Sequence, residues 1–225
     1  MAVSMFHCNK IARAIRLVCQ GASALTADLD GGNTVSVGSN ELFGAGQQVQ
    51  LRDSAGEETA TVQETVGLTS VVLSGDVSGQ YLTSRGARIE RAGGTMPELQ
   101  WVGQGSPELM PRSPADRYPC VLVKPDLMRQ PLNEGTNRTF QQDYHFQVFY
   151  VERYEDGQQA NIEALERAGA IFNVIMEDPY LGGSCWHSQV IEVDPDPAIQ
   201  ERLREAERPL RVVEMTVLAR RAAVV

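Results

Sequence analysis

The texture of the chain changes twice along its length, and those two changes limit what it can fold into. One amphipathic segment, Phe6 to Gln20, opens it. A stretch rich in Gly, Thr and Val follows from Asp28 to Gly94. From Tyr118 onward the pattern reads strand, strand, helix, strand, short helix, strand. This order predicts an α+β protein with a mainly antiparallel sheet, whose first helix is separated from that sheet by an inserted module. Residues 1–27 and 95–225 are assigned to the α+β part, with 95–117 as an extended arm or linker. Residues 28–94 are assigned to a small all-β, barrel-like domain.

The opening segment places Ile11, Ala14, Ile15, Leu17 and Val18 at helical spacing, with Lys10, Arg13 and Arg16 toward the other side and Gly21 at its end. Its last residues, Ala22-Ser23-Ala24, faintly resemble a signal-peptide cleavage site. The apolar run is too short for a secretory core, however, so the segment is expected to remain as a helix. In the module, five β-prone runs stand between glycines: Thr34–Val37, Gln48–Arg52, Thr59–Thr65, Ser70–Leu73 and Ala87–Arg91. Asp53-Ser54-Ala55-Gly56 reads as a hairpin turn. Short strands at this density suggest a small barrel of the SH3 or OB kind. Its aromatics are Phe43 and Tyr81, too few for the stacking platform of a single-strand binder.

The arm carries Pro97, Pro107, Pro111, Pro114 and Pro119 together with Gly103 and Gly105, and is expected to lack regular structure. It would lie across a neighbouring subunit or over its own domain. A strand then runs from Cys120 to Lys124 and ends at Pro125, and a long polar loop spans Met128 to Thr139. In the next strand Tyr144, Phe146, Val148 and Tyr150 share one face, and His145, Gln147, Phe149 and Val151 the other. Asp156 and Gln159 form a capping-box pattern, followed by a helix expected to bury Ile162, Leu165, Gly169, Phe172 and Met176. Trp186–Val193 and Arg211–Ala219 read as strands around a short helix with Asp196 as N-cap and Pro197 at its first position. Antiparallel strands with helices on one face are the expected architecture.

The formal net charge of -9 argues against general nucleic-acid affinity, which needs clustered Lys and Arg. An acidic surface would suit a wall that DNA slides past, but it is more commonly that of an ordinary soluble protein. An apolar fraction of 42% is that of a globular chain, and no apolar run is long enough to span a membrane. Cys8, Cys19, Cys120 and Cys185 form no CxxC or zinc spacing and are expected to be buried reduced thiols. Cys185 and His187, two apart on a strand, share a face, but no third residue completes a nucleophilic site, so packing is expected of them. His7, His145 and His187 have no metal-ligand spacing, Asp194 and Asp196 read as turn and cap, and Asp53, Glu57 and Glu58 as solvated acids around a hairpin. No phosphate-binding glycine motif is present. Catalytic, metal and cofactor residues are therefore assigned as none. Arg202, Arg204 and Arg208 interleave with Glu201, Glu205 and Glu207 as a salt-bridged exposed helix. With Arg211, Arg220 and Arg221 they also suit a subunit interface.

The order of elements resembles the tail terminator and tail-completion (neck) proteins of long-tailed bacteriophages. The matching features are the opening helix Phe6–Gln20, the proline-entered strand Tyr118-Pro119-Cys120-Val121-Leu122-Val123, the long loop, and the alternating strand Asp143 to Tyr154. The helix from Asn161 to Met176 and a strand-helix-strand finish complete the match. It covers residues 5–22 and 118–222. The inserted module departs from small terminators. It looks like the small β domains that decorate many phage structural proteins, carried here by Gly46–Asp53, Thr61-Val62 and Val71-Val72-Leu73.

The resemblance implies a homohexameric ring at the head-proximal end of the tail tube, in the virion and assembled in the host cytoplasm. Its partners would be further copies of itself, the tail tube protein and the head–tail connector, with DNA only passing through the channel and no membrane involved. Sheet edges and the long loop would make the subunit contacts, with Met128, Arg129, Asn133, Glu134, Asn137, Arg138, Arg211 and Arg220 as candidate interface residues. A head–tail connector (adaptor or stopper) is the alternative. A soluble binding module that uses its β domain is the alternative outside this class, and an enzyme would require a deep pocket.

Overall fold

The computed structural model describes residues 2–110, 118–126, 132–133, 139–153, 158–206 and 210–224. Helix α1 (Ala2–Cys19) buries Ile11, Ala14, Ile15 and Val18 of the expected stripe together with Cys8, Ala12 and Cys19, while Leu17 is only partly buried. Gly21, at φ 72°, ends it by donating its N–H to the Val18 carbonyl at 2.8 Å.

The next region holds β1 (Ala22–Ala24), β2 (Leu29–Asp30), β3 (Thr34–Ser36), β4 (Gln48–Arg52), β5 (Glu57–Val66), β6 (Ser70–Leu73), β7 (Gln80–Tyr81) and β8 (Arg88–Arg91). The hydrogen-bonded order is β1-β8-β4-β5-β6-β3, all antiparallel, and a bridge between Leu25 and Val37 links the two end strands. The Ala22-Ser23-Ala24 tripeptide is strand β1, registered against Arg88, Ile89 and Glu90, so this sheet starts before Asp28. The five expected runs are all strands. β1, β2 and β7 escaped the sequence reading because two or three residues carry no alternation.

The second region holds β9 (Trp101–Gln104), β10 (Cys120–Asp126), β11 (Leu132–Asn133), β12 (Thr139–Arg153), α2 (Gln158–Glu177), β13 (His187–Asp194), α3 (Ala198–Glu205) and β14 (Leu210–Val224). The sheet order is β13-β14-β12-β10-β9, with β11 also pairing β12. The β9–β10 pair is parallel and the others antiparallel. The chain is therefore α+β with mostly antiparallel strands and three α-helices among the described residues.

Several expectations are corrected here. The arm is not irregular throughout: its prolines flank a β-prone run, which becomes β9. β10 does not stop at Pro125. Val123 turns its carbonyl toward β9, accepting from Gly105 at 3.1 Å, so Pro125 turns its nitrogen to that same side. Since β9 ends at Gln104, opposite Val123, the missing N–H interrupts no ladder. Helix α3 begins at Ala198 with Pro197 as N-cap, and Asp196 instead donates its N–H to Asp194 Oδ1 at 3.0 Å. Asp156 lies outside the described residues, and the capping box with it.

The helices cover both faces of the second sheet, not one. Tyr144, Phe146, Val148 and Tyr150 join Val121, Val123, Val213, Met215 and Val217 in a core shared with α1 and α2. On the reverse face Cys120, Leu122, Phe149, Val151, Leu210 and Val212 pack with Ile199 and Leu203 of α3. Helix α2 turns mainly the unexpected stripe inward, while Phe172 of the expected one packs partly buried against the core. Ala164, Ala168, Ile171, Val174 and Ile175 are buried, whereas Ile162, Leu165 and Met176 are 43%, 42% and 42% exposed. The helix has two apolar stripes and one sheet to face, and the stripe containing alanines lets its backbone approach closer.

The core on the α1–α2 side continues into the first region through Val35, Val37, Leu42, Val49 and Leu51, and Leu181 belongs to the same cluster. At this seam Gly38 lies against the Gly182-Gly183 backbone, where an added Cβ would stand 2.7 Å from the Gly182 carbonyl carbon.

Candidate assembly surfaces

Of the residues expected at a subunit interface, Met128, Arg129, Glu134, Asn137 and Arg138 lie outside the described residues. Asn133 lies in β11, registered with Gln141. Arg211 bonds the Asn161 side-chain carbonyl, and Arg220 stands opposite Asp143 on β12 with Nε 3.4 Å from Oδ1. Both arginines thus already hold partners within their own chain. On α3, Arg202 reaches Glu108 of the 3-10 turn Pro107–Leu109 at 3.0 Å, and Arg204 reaches Asp196 at 3.7 Å. These bridges leave the helix for its surroundings, in place of the expected pairing with Glu201 and Glu205.

All four cysteines are free and buried, as expected from their spacing. Cys185 Sγ lies 3.6 Å from the Pro179 carbonyl, and burial pushes its thiol up to about 12, so it stays protonated at neutral pH. Among the described residues no three His, Cys, Asp or Glu side chains cluster to hold a metal ion.

Two acids expected in solvent are instead fasteners. The Asp53 side chain is 1% exposed and accepts from the N–H groups of Ala55 (2.7 Å), Gly56 (3.2 Å) and Leu82 (3.3 Å) and from Arg85 Nε (2.8 Å). Burial opposes its ionisation, but these donors outweigh burial and hold the carboxyl below its ordinary range. Glu58 accepts from the N–H and hydroxyl of Ser78, from Gly79 N–H and from the Tyr81 hydroxyl, and is likewise lowered, chiefly by the Ser78 N–H. The two carboxylates tie segment 78–85 to the β4–β5 hairpin. Glu57 does remain half-exposed, paired with Arg52.

The surfaces left open lie at the ends of the second sheet. Among the described residues β13 pairs only with β14, and β9 only with β10. The first half of β13's outer side is occupied by its own chain: Ser188 donates to the Pro179 carbonyl at 2.6 Å and Val190 to Met176 Sδ at 3.4 Å. The stretch from Ile191 to Asp194 follows, with Ile191 45% and Val193 46% exposed. Ten large hydrophobic side chains stand exposed among the described residues. Of these, Ile191 and Val193 lie in β13, Trp186 directly precedes it, Met176 meets its Val190 N–H, and Trp101 lies in β9. Beside β9 a cleft of about 410 Å³ is lined by Arg52, Arg88, Arg91, Met96, Leu99 and Trp101, among others. Sequence reading assigned Ile162, Leu165 and Met176 to the core. The signal it passed over was the second apolar stripe on the same helix, since one helix on one sheet buries only one.

No protein-family model matches this chain, and no curated protein matches it.

Proposed function

We propose that this protein is a virion structural protein of a long-tailed bacteriophage, forming a ring at the head-proximal end of the tail tube. In this role it ends tube growth and joins the tail to the head connector. The observation that carries the reading is the element order. A lone helix is followed, after the first sheet, by β9, β10, β11, a long β12, α2, β13, α3 and β14, with all these strands in one sheet. Apart from the added β9 and β11, that is the order for which the resemblance to tail terminators was drawn. The first sheet is read as a small barrel inserted between α1 and the second sheet, and the Leu25–Val37 bridge between its end strands supports closure. An open sheet with two unpaired edges favours assembly, because edge backbone groups otherwise rely on water. The partners in this reading are further copies of the chain, the tail tube protein and the head–tail connector. DNA passes through without sequence-specific contact, consistent with the net charge of -9.

The test is electron microscopy of the purified protein, alone and mixed with preassembled tail tubes. Rings with an opening wide enough for duplex DNA, seated at one end of each tube, are the expected result. Particles that never seat on tubes, whatever their mass in solution, overturn the reading.

A further inference from the structure

We propose that the cleft between the first sheet and β9 binds a neutral saccharide. The ring reading gives this cleft no role.

Part of the lining follows from strand alternation. In β4 and β8 the side chains of Val49, Leu51 and Ile89 are buried in the core, so Gln50, Arg52, Arg88 and Glu90 share the other face of the first sheet. The register sets Gln50 beside Glu90 and Arg52 beside Arg88. The rest of the lining comes from the segment that leads into β9, where Trp101 supplies an aromatic ring. A Cβ on Gly103 would stand 2.1 Å from Trp101 Cη2 and 2.2 Å from Cζ2, so the glycine leaves room for the indole to lie along its own strand. The β module's own aromatics, Phe43 and Tyr81, are buried. The fold thus brings to this sheet, from outside the module, the ring that its sequence lacks.

The charges around the cleft cancel. Arg52 pairs with Glu57 and Glu90, Arg88 with Glu90 at 2.9 Å, and Arg91 with Glu177 at 2.7 Å. Three arginines against three glutamates leave neither an anion nor a cation favoured. What the pairing provides is planar polar groups held in fixed directions. Glu90 has one carboxylate oxygen on Arg88 and the other near Arg52, and a guanidinium has five N–H donors, more than these partners use. Gln20, Gln50 and Gln100 add carboxamides, each of which both donates and accepts. A sugar hydroxyl also donates and accepts, whereas a carboxylate only accepts and an ammonium only donates. A pyranose further carries an apolar C–H face, which an indole can cover. The cleft volume of about 410 Å³ falls within the range of roughly 300–1,000 Å³ for small-molecule sites, and few convergent polar groups beside apolar surface are their usual lining.

The test is saturation-transfer NMR on the full-length protein with maltotriose, cellotriose, mannotriose and N-acetylchitotriose, and with sialyllactose and a heparin disaccharide as acidic counterparts. At least one neutral saccharide is expected to bind and the acidic ones are not. The bound saccharide is then titrated calorimetrically against variants whose unchanged melting temperature verifies folding. Trp101→Ala is expected to weaken binding at least about tenfold, and Trp101→Phe less, since it keeps a ring. Gln50→Ala removes an outward-facing carboxamide without touching the core and is expected to weaken binding several-fold, which carries the test should Trp101→Ala fail to fold. Leu68→Ala, at an exposed side chain outside the lining, is expected to bind as wild type. Absence of binding by all four neutral saccharides overturns the proposal. So does equal binding of the acidic ones, or a Gln50→Ala variant that titrates like wild type. A loss in Leu68→Ala as large as in the cleft variants overturns the assignment to this cleft.

Discussion

The two sheets of this protein solve the same problem in opposite ways. The first is made, β5 apart, of strands of at most five residues, with a single Leu25–Val37 bridge just beyond its end strands, and carboxylates pin its connecting segments. The second is made of long strands, β12 and β14 registered from Thr139–Val224 to Arg153–Leu210, and it ends in two edges paired on one side only. The bridge beyond the first sheet's end strands uses some of the backbone groups at the ends of that sheet. An open one retains them, and here it also gathers exposed apolar side chains at its ends. The first region thus adds polar fasteners to an apolar core, and the second buries two apolar faces.

The seam between the regions is where the comparison breaks most sharply. A methyl group on Gly38 would collide with the Gly182 carbonyl, and both partners are backbone, so neither can swing aside. Gly38→Ala is expected to cost at least about 3 kcal/mol in denaturant unfolding. Gly103→Ala on β9 is the control. There the three atoms nearest the Cβ all belong to the Trp101 ring, a side chain 37% exposed and not backbone, and the cost is expected to be about 1 kcal/mol. Equal costs would mean that the two regions do not brace each other through this contact.

Asp178 closes the same seam from within a buried site. It accepts from the N–H groups of Gly182 at 2.7 Å and Tyr180 at 3.2 Å, and Ser39 of the first region bonds it as well. Truncation to Ala strands these donors and is expected to cost about 2 kcal/mol. Asn keeps an acceptor oxygen and removes the buried charge, so Asp178→Asn is expected to stay within about 1 kcal/mol of wild type. Burial is the chief cause that raises the Asp178 carboxyl, against those hydrogen bonds. A raised acid contributes stability that is present below its unfolded pKa and lost as pH rises through its folded value. Acidification therefore favours the seam, and Asp178→Asn should remove that trend from the pH dependence of unfolding.

The contrast also explains what could be read from the residues alone. β4 was legible to the residue because Val49 and Leu51 alternate with polar neighbours, and β6 because the β-branched run Val71-Val72 stands with Leu73 between turn-forming residues. The two faces of β12 were legible for the same reason. β9 was not, because a short strand held by parallel pairing to a distant partner leaves no local signature beyond Trp101 and Val102. Nor was α2's orientation, since sequence periodicity reports a stripe but not which of two stripes wins the sheet. The candidate surfaces inherited that ambiguity: Leu165 reads as core until the competing stripe of Ala164, Ala168 and Ile171 is seen to occupy it. The fastening role of Asp53 was hidden because its donors include Leu82 and Arg85, far along the chain.

The smallest expected effects lie in the first region and separate a fastener from a bystander. Asp53 and Glu57 flank the same hairpin and carry the same charge, yet only Asp53 is enclosed by backbone N–H donors. A carboxyl held below its ordinary range contributes stability that is present above its unfolded pKa and lost as pH falls through its folded value. The first region should therefore loosen on acidification, seen as faster amide hydrogen exchange in β4 and β5 while β12 and β14 stay protected. Asp53→Asn should flatten that response, because Asn accepts fewer bonds and carries no charge to lose. Glu57→Gln removes only a half-exposed pairing with Arg52, for which water and salt compete. It is expected to change stability by no more than about 0.5 kcal/mol, and less as salt is added. If the two substitutions shift the acid response alike, hairpin charge and not enclosure is what holds the first sheet, and the contrast between fastened and open sheets would have to be redrawn.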